Sequence, residues 1–194
     1  MKPSAHRVAA AKGVKDLPLG IYVTVEKSSG KIEATFTNPF GDPLPKSAPA
    51  WGAIDAYPAD PGTGPCLGAF IVRGAFVASG YGPLLYDVLM ELAGKRGITS
   101  DRTKVTSDAE RVWAYYMKSR SDVRWKQLDI DQTQGHPGDL PVENLTSDPK
   151  DDCGQGHRSY PNMEALLSSP LSKVYYASGT PTITALERAG LLIR

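Results

Sequence analysis

The chain has 194 residues, of which 41% are hydrophobic and 22% charged, and its 22 Lys and Arg stand against 21 Asp and Glu for a formal net charge of +1. That length fits one domain with appended loops, and the apolar fraction is enough for a core. The near-neutral balance gives no electrostatic case for nucleic acid or an anionic membrane surface as a bulk partner, and no run approaches the roughly 18 apolar residues of a membrane span.

Residues 1–13 carry His6, Arg7 and Lys12 and no apolar stretch, so they read as a loose arm and not as a signal peptide. From Gly20 to Asn38, Ile21, Val23 and Val25 alternate with polar residues, as do Ile32, Ala34 and Phe36. The spacing predicts a hairpin turning at Ser28-Ser29-Gly30-Lys31. Pro39 to Pro49 is broken by prolines and predicts a loop, Trp51 to Tyr57 a strand, and Pro58 to Pro65 a turn. Leu67 to Val77 is a strong strand in which Gly74 marks a bulge.

Pro83 to Arg96 is the clearest helix. Leu85, Val88, Leu89, Leu92 and Ala93 recur at helical spacing, Pro83 suits the first helical position, and Gly97 suits a left-handed cap. A short link follows Gly97. Ser107 to Lys118 is a second helix, opened by a Ser107/Glu110 capping box, with Ala109, Val112, Trp113, Tyr116 and Met117 on one face. Val123 to Leu128 and Leu171 to Ala177 read as strands, and Thr184 to Ala189 as a short helix with a Thr184/Glu187 box. The chain thus divides into an arm (1–19), a core (20–128), an irregular excursion rich in Asp, Pro, Gly and Gln (129–169), and a C-terminal strand and helix packing back on the core (170–194). The fold class is α/β of the α+β kind, a largely antiparallel central sheet flanked by helices, with a long irregular C-terminal excursion.

The most informative stretch is the turn between the long strand and the first helix, Gly80-Tyr81-Gly82. Small residues between a strand end and a helix N-terminus expose backbone N–H groups to an anion such as a pyrophosphate. The bland alternative is a tight turn that needs glycine only for its backbone angles.

The order of hairpin, long strand, Gly-x-Gly turn, long helix and aromatic-bearing second helix, from Ile21 to Leu128, resembles the GNAT (N-acetyltransferase) fold. More narrowly, Ser79 to Asp87, Asp101-Arg102 to Tyr116, Asp151-Asp152-Cys153 and Pro170 to Tyr176 resemble an uncharacterised group of acetyltransferase-like proteins of tailed bacteriophages. The resemblance implies acetyl-CoA as cofactor, held by the backbone of Gly80, Tyr81, Gly82, Leu84 and Leu85, and Tyr116 as the phenol that protonates the leaving thiolate. Tyr115 is its neighbour. It implies either acyl transfer to an amine or a catalytically inactive virion or assembly protein that binds other phage proteins, in the host cytoplasm or the particle. The sequence departs from that family in four places: Val77 stands where Arg or Gln is preferred, Pro83 removes one amide, the strand expected after the first helix would be Ile98 to Ser100, short and polar for a central parallel strand, and Asp101-Arg102 replace an expected Asn. Glu33, Asp55 and His6 are base candidates by residue type alone.

Other constellations read more plainly. Lys118, Arg120, Arg124 and Lys126 are interleaved with acids and form a solvated face. Asp87 reads as a solvated or hydrogen-bonding residue near the first helical turn. Cys66 and Cys153 are the only cysteines, too few to staple the fold, and suggest an intracellular setting. Cys153 and His157, beside Asp151, Asp152 and His136, have part of a metal-ligand spacing but no completing pair. The expectation there is an exposed turn with a free thiol and no metal, with the Asp148 to Asp152 run as solvated charge.

Overall fold

A computed structural model of the chain describes residues 11–41, 52–130, 145–154, 156 and 160–194. The hairpin forms as the alternation predicts: β1 (Tyr22–Lys27) pairs antiparallel with β2 (Ile32–Thr37), Val25 opposite Ala34. Next come β3 (Gly52–Pro58), β4 (Phe70–Val77) and α1 (Gly82–Ala93). β5 (Ile98–Thr99), α2 (Ser107–Ser119), β6 (Val123–Gln127) and β7 (Asp129–Ile130) follow. The chain closes with β8 (Asp152–Cys153), α3 (Met163–Ser168), β9 (Lys173–Ala177), α4 (Pro181–Arg188) and β10 (Leu192–Ile193).

Eight strands form one sheet in the order β10-β1-β2-β3-β4-β5-β9-β6, and β7 and β8 form a separate two-stranded ladder. Within the large sheet only β1–β10 and β4–β5 run parallel. The architecture is a mixed α+β sheet flanked by helices. α1 lies across β2, β3, β4 and β9. Its stripe of Leu85, Val88 and Leu89 meets Ile32, Ala34 and Ile54, all fully buried. Burial of each large side chain there is worth about 1.5–3 kcal/mol.

Two irregularities shape β4. Asp55 pairs with Gly74 but Ala56 pairs with Val72, so Arg73 is an unopposed bulge residue, one position from the glycine that predicts it. A Cβ on Gly74 would lie 2.7 Å from Asp55 Oδ1, so a side chain there would displace the Asp55 carboxylate. On its other side β4 pairs with β5 only through Phe70↔Ile98 and Ile71↔Thr99. β5 then pairs with β9, which leads on to β6. Gly97 permits the crowding beside β9: its φ is +70° and a Cβ would meet Tyr175 O at 2.6 Å.

Several expectations are corrected. The cap of α2 is Thr106, whose Oγ1 accepts from Ala109 N, and not Ser107. α4 starts at Pro181, three residues before Thr184. Its exposed amides are capped from outside: Glu91 of α1, itself buried, accepts from Thr182 N at 2.8 Å and Ile183 N at 2.7 Å. A carboxylate there satisfies orphan donors and the positive end of the helix together. Cys153 is not a free thiol on an exposed turn. It is fully buried and bonded to Cys66 across 87 residues, fastening β8 to the turn before β4. A cross-link closing so long a loop restricts the unfolded chain, so one pair does staple this fold. His136 and His157 lie outside the described residues.

Lys173 is fully buried at the start of β9. Its Nζ donates to Leu167 O at 2.9 Å, to Ser172 Oγ at 3.2 Å and to Gln127 Oε1. Burial lowers its pKa to about 8. Below pH 8 the amine is charged in both folded and unfolded chains, and the cost of burying that charge is present in full. Between about 8 and the ordinary value near 10.4 the unfolded chain holds the extra proton, so stability rises with pH. Urea unfolding at pH 7 and 9.5 should therefore show wild type gaining stability relative to Lys173→Met; a pH-independent difference would contradict this. Glu91→Ala should cost about 3 kcal/mol in the same assay, because two buried N–H groups lose a charged acceptor; an unchanged midpoint would remove its capping role.

Candidate functional site

The chain leaves β4 at Val77 and turns through Gly80, whose φ of +85° is the left-handed conformation open to glycine. Tyr81 N donates to Ala78 O at 3.0 Å, and Tyr81 then serves as N-cap of α1 with no side-chain cap bond. Tyr81 is buried. Its hydroxyl donates to Asp16 O at 2.8 Å and its ring meets Phe36 edge-on. Lys12 N donates to Gly80 O at 2.9 Å, and Lys12 Nζ stands 4.5 Å from the centroid of the Tyr81 ring. The end of the N-terminal arm therefore lies against the turn and brings a cation to it.

The cradle that the sequence places at Gly80, Tyr81, Gly82, Leu84 and Leu85 is accordingly narrowed. Tyr81 gives its amide to the turn, Leu85 N reaches Tyr81 O at 3.4 Å, and Pro83 has no amide. The amides of the half-buried Gly80 and Gly82 make no hydrogen bond among the described residues, whereas Leu84 is buried, main chain included. The side chains of Leu84 and Leu85 are core.

One turn further along α1 the helix reaches a cavity of about 300 Å³. The cavity occupies the gap opened where β4 continues past its short pairing with β5. Val72, Arg73 and Ala75 of β4 form one wall. Tyr86 of α1, and Thr106, Ala109 and Trp113 of α2 and its cap, form the other, and Asp101, Lys104 and Val105 close it. Asp101 Oδ1 accepts from Thr103 N at 2.6 Å and Lys104 N at 3.0 Å, which fixes the connecting loop. The site thus joins an apolar body to a carboxylate, two cations and two hydroxyls.

The strand that would fill the gap is drawn elsewhere. Arg102 is buried. Its Nε donates to Ser100 O at 3.0 Å, and Nη2 donates to Leu171 O at 2.6 Å and to Ser100 Oγ. Nη1 stands 3.8 Å from Cys153 Sγ. Loss of water lowers the guanidinium's pKa to about 10.

Tyr116 is fully buried and does not line the cavity. Its hydroxyl lies 2.8 Å from both Pro83 O and Asp87 Oδ1, so its one proton is shared between two acceptors. Burial, reinforced by the Asp87 charge, holds its pKa well above the ordinary phenol value. Asp87 also takes both oxygens to Arg120 Nη1 at 3.1 Å, and Arg120 reaches on to Asp122 at 2.7 and 2.6 Å. Asp87 is thus part of a half-buried ion network that ties the start of α1 to the end of α2. Arg120 belongs to this network and not to a free basic face. Of the base candidates, Glu33 pairs with Lys31 and Asp55 faces Gly74 on the sheet; neither lines the cavity, and His6 lies outside the described residues. Asp129, Asp151 and Asp152 carry carboxylate oxygens within 4.8 Å of one another, but Asp129 already accepts from Ile130 N and Thr146 N and Asp151 from Thr146 Oγ1.

Sequence reasoning did not single out Tyr86, Thr106 or Lys104 as cavity residues. The signal that could have found Tyr86 was present: it falls one helical turn after Gly82, on the side of α1 that leans back toward the turn. No protein-family model, curated protein or solved structure matches this chain.

Tyr116→Phe should cost about 1–2 kcal/mol of stability in urea unfolding, since Pro83 O and Asp87 lose their donor in a buried network. No loss would show that the phenol is not structurally engaged.

Proposed function

We propose that the protein binds an acyl thioester of coenzyme A and passes the acyl group to an amine. The observation that carries this reading is the gap beside β4, with a helix that runs from an anion-competent turn to the cavity wall. A pyrophosphate at the Gly80 and Gly82 amides, with Lys12 beside them, would leave the pantetheine arm directed along α1 toward the gap. Holding both reactants in the gap supplies proximity.

A second reading is favoured by one observation, the commitment of the Tyr116 proton to Asp87 and Pro83. On that reading the same scaffold is kept without catalysis as a phage virion or assembly protein that binds other phage proteins. Mass spectrometry of purified particles separates the two: stoichiometric presence favours the assembly role, while presence only in the cytosol of infected cells favours the enzyme.

Titration calorimetry with acetyl-CoA tests the first reading directly. Binding in the micromolar to millimolar range is expected, and Gly82→Asp should abolish it. A Cβ at Gly82 meets Val112 Cγ2 at an ordinary 3.8 Å, so the backbone has room for a side chain there and the aspartate tests the effect of charge at the helix start. No heat at millimolar acetyl-CoA would remove the cofactor.

A further inference from the structure

Tyr86 is 3% exposed, lines the cavity, and packs edge-on against Trp113 at 5.1 Å between ring centroids. Its hydroxyl makes no hydrogen bond among the described residues, yet it is not one of the sealed polar atoms of the interior. The other buried phenols of this region are occupied: Tyr81 donates to Asp16 O, Tyr116 to Pro83 O and Asp87, and Tyr175 to Pro170 O at 2.7 Å. A buried hydroxyl normally has a partner, and leaving one unpaired costs free energy. Tyr86 thus lines the cavity with a hydroxyl that has no hydrogen-bond partner among the described residues.

We propose that Tyr86 is the donor that receives the acyl carbonyl oxygen of the bound thioester. The proposal rests on the acyl-thioester reading and adds to it the residue that addresses the reacting bond. The apolar lining of Val72, Ala75 and Trp113 suits the short acyl chain, and the Tyr86 O–H meets its carbonyl. When the amine lone pair attacks the carbonyl carbon, the π electrons move to oxygen, and Tyr86 donates a hydrogen bond to the resulting oxyanion. Collapse re-forms the C=O bond and breaks the C–S bond. The thiolate leaves with that electron pair and is protonated by solvent, while the nitrogen loses its proton to water; Tyr86 ends unchanged. Burial raises the pKa of this phenol, which keeps it a donor and excludes it as a base.

The variant is Tyr86→Phe, which keeps the ring against Trp113 and removes one oxygen. The probes are coenzyme A, acetyl-CoA and acetyl-CoA carrying ¹³C at the carbonyl. Expected are an unchanged melting temperature, equal affinity of both proteins for coenzyme A, and an acetyl-CoA affinity about tenfold weaker in the variant, the equivalent of one hydrogen bond. Isotope-edited infrared spectra should show the bound carbonyl band shifted to lower frequency in wild type and unshifted in Tyr86→Phe. Equal acetyl-CoA affinity with the same carbonyl band in both proteins would overturn the role of Tyr86 while leaving thioester binding intact. Failure of both proteins to bind either ligand would overturn the acyl-thioester reading and this inference with it.

Discussion

A guanidinium taken out of water must be surrounded by acceptors, and Arg102 finds them on Ser100, on Leu171 and beside the Cys153 sulfur. Leu171 leads into β9 and Cys153 lies in β8, neither of which pairs with β4. Thr99 Oγ1 and Ser100 Oγ reinforce the pull with bonds to Lys173 O and Leu171 O. The chain after β5 therefore turns from β4 after two paired residues, and β4 runs on with one side of its ladder open. The Cys66–Cys153 bond keeps the excursion, and with it one wall of the Arg102 pocket, fastened to the turn before β4. Everything proposed about ligand binding follows from that opening.

The second structural determinant is the rigidity of the wall facing the opening. α1 is anchored at its start by Tyr116 and by the Asp87–Arg120–Asp122 chain of ion pairs, along its length by the sheet, and near its end by Glu91 holding α4. Partly buried charges held by several partners are costly to separate. A helix so fixed presents its N-terminal amides and the Tyr86 hydroxyl at a constant spacing, which a two-part ligand requires. Among the described residues the Tyr86 hydroxyl makes no hydrogen bond, and Tyr86 is the α1 residue that lines the cavity.

The β1–β2 hairpin, the strand before the turn and both long helices were legible because each carries its own period and punctuation: alternation in Ile32, Ala34 and Phe36, an apolar stripe in Leu85, Val88 and Leu89, and glycine at 74, 80 and 97. What escaped depends on partners distant in sequence. Nothing local marks Glu91 as the cap of a helix some ninety residues later, Arg102 as a buried clamp, or Cys66 as the mate of Cys153. The parallel pairing of β10 with β1 is likewise a contact between chain ends. In the site, the glycine turn was visible as a motif, but the cavity exists only because β5 is short and diverges. Its residues, among them Tyr86, Asp101, Lys104 and Thr106, come from three separate segments.

A crystal structure of the protein grown with coenzyme A tests the central claim most directly. Phosphate density is expected against the Gly80 and Gly82 amides, with the thiol end of the ligand lying in the gap between β4 and the loop at Asp101. A structure in which that loop closes on β4, leaving no room beside Tyr86, would contradict it.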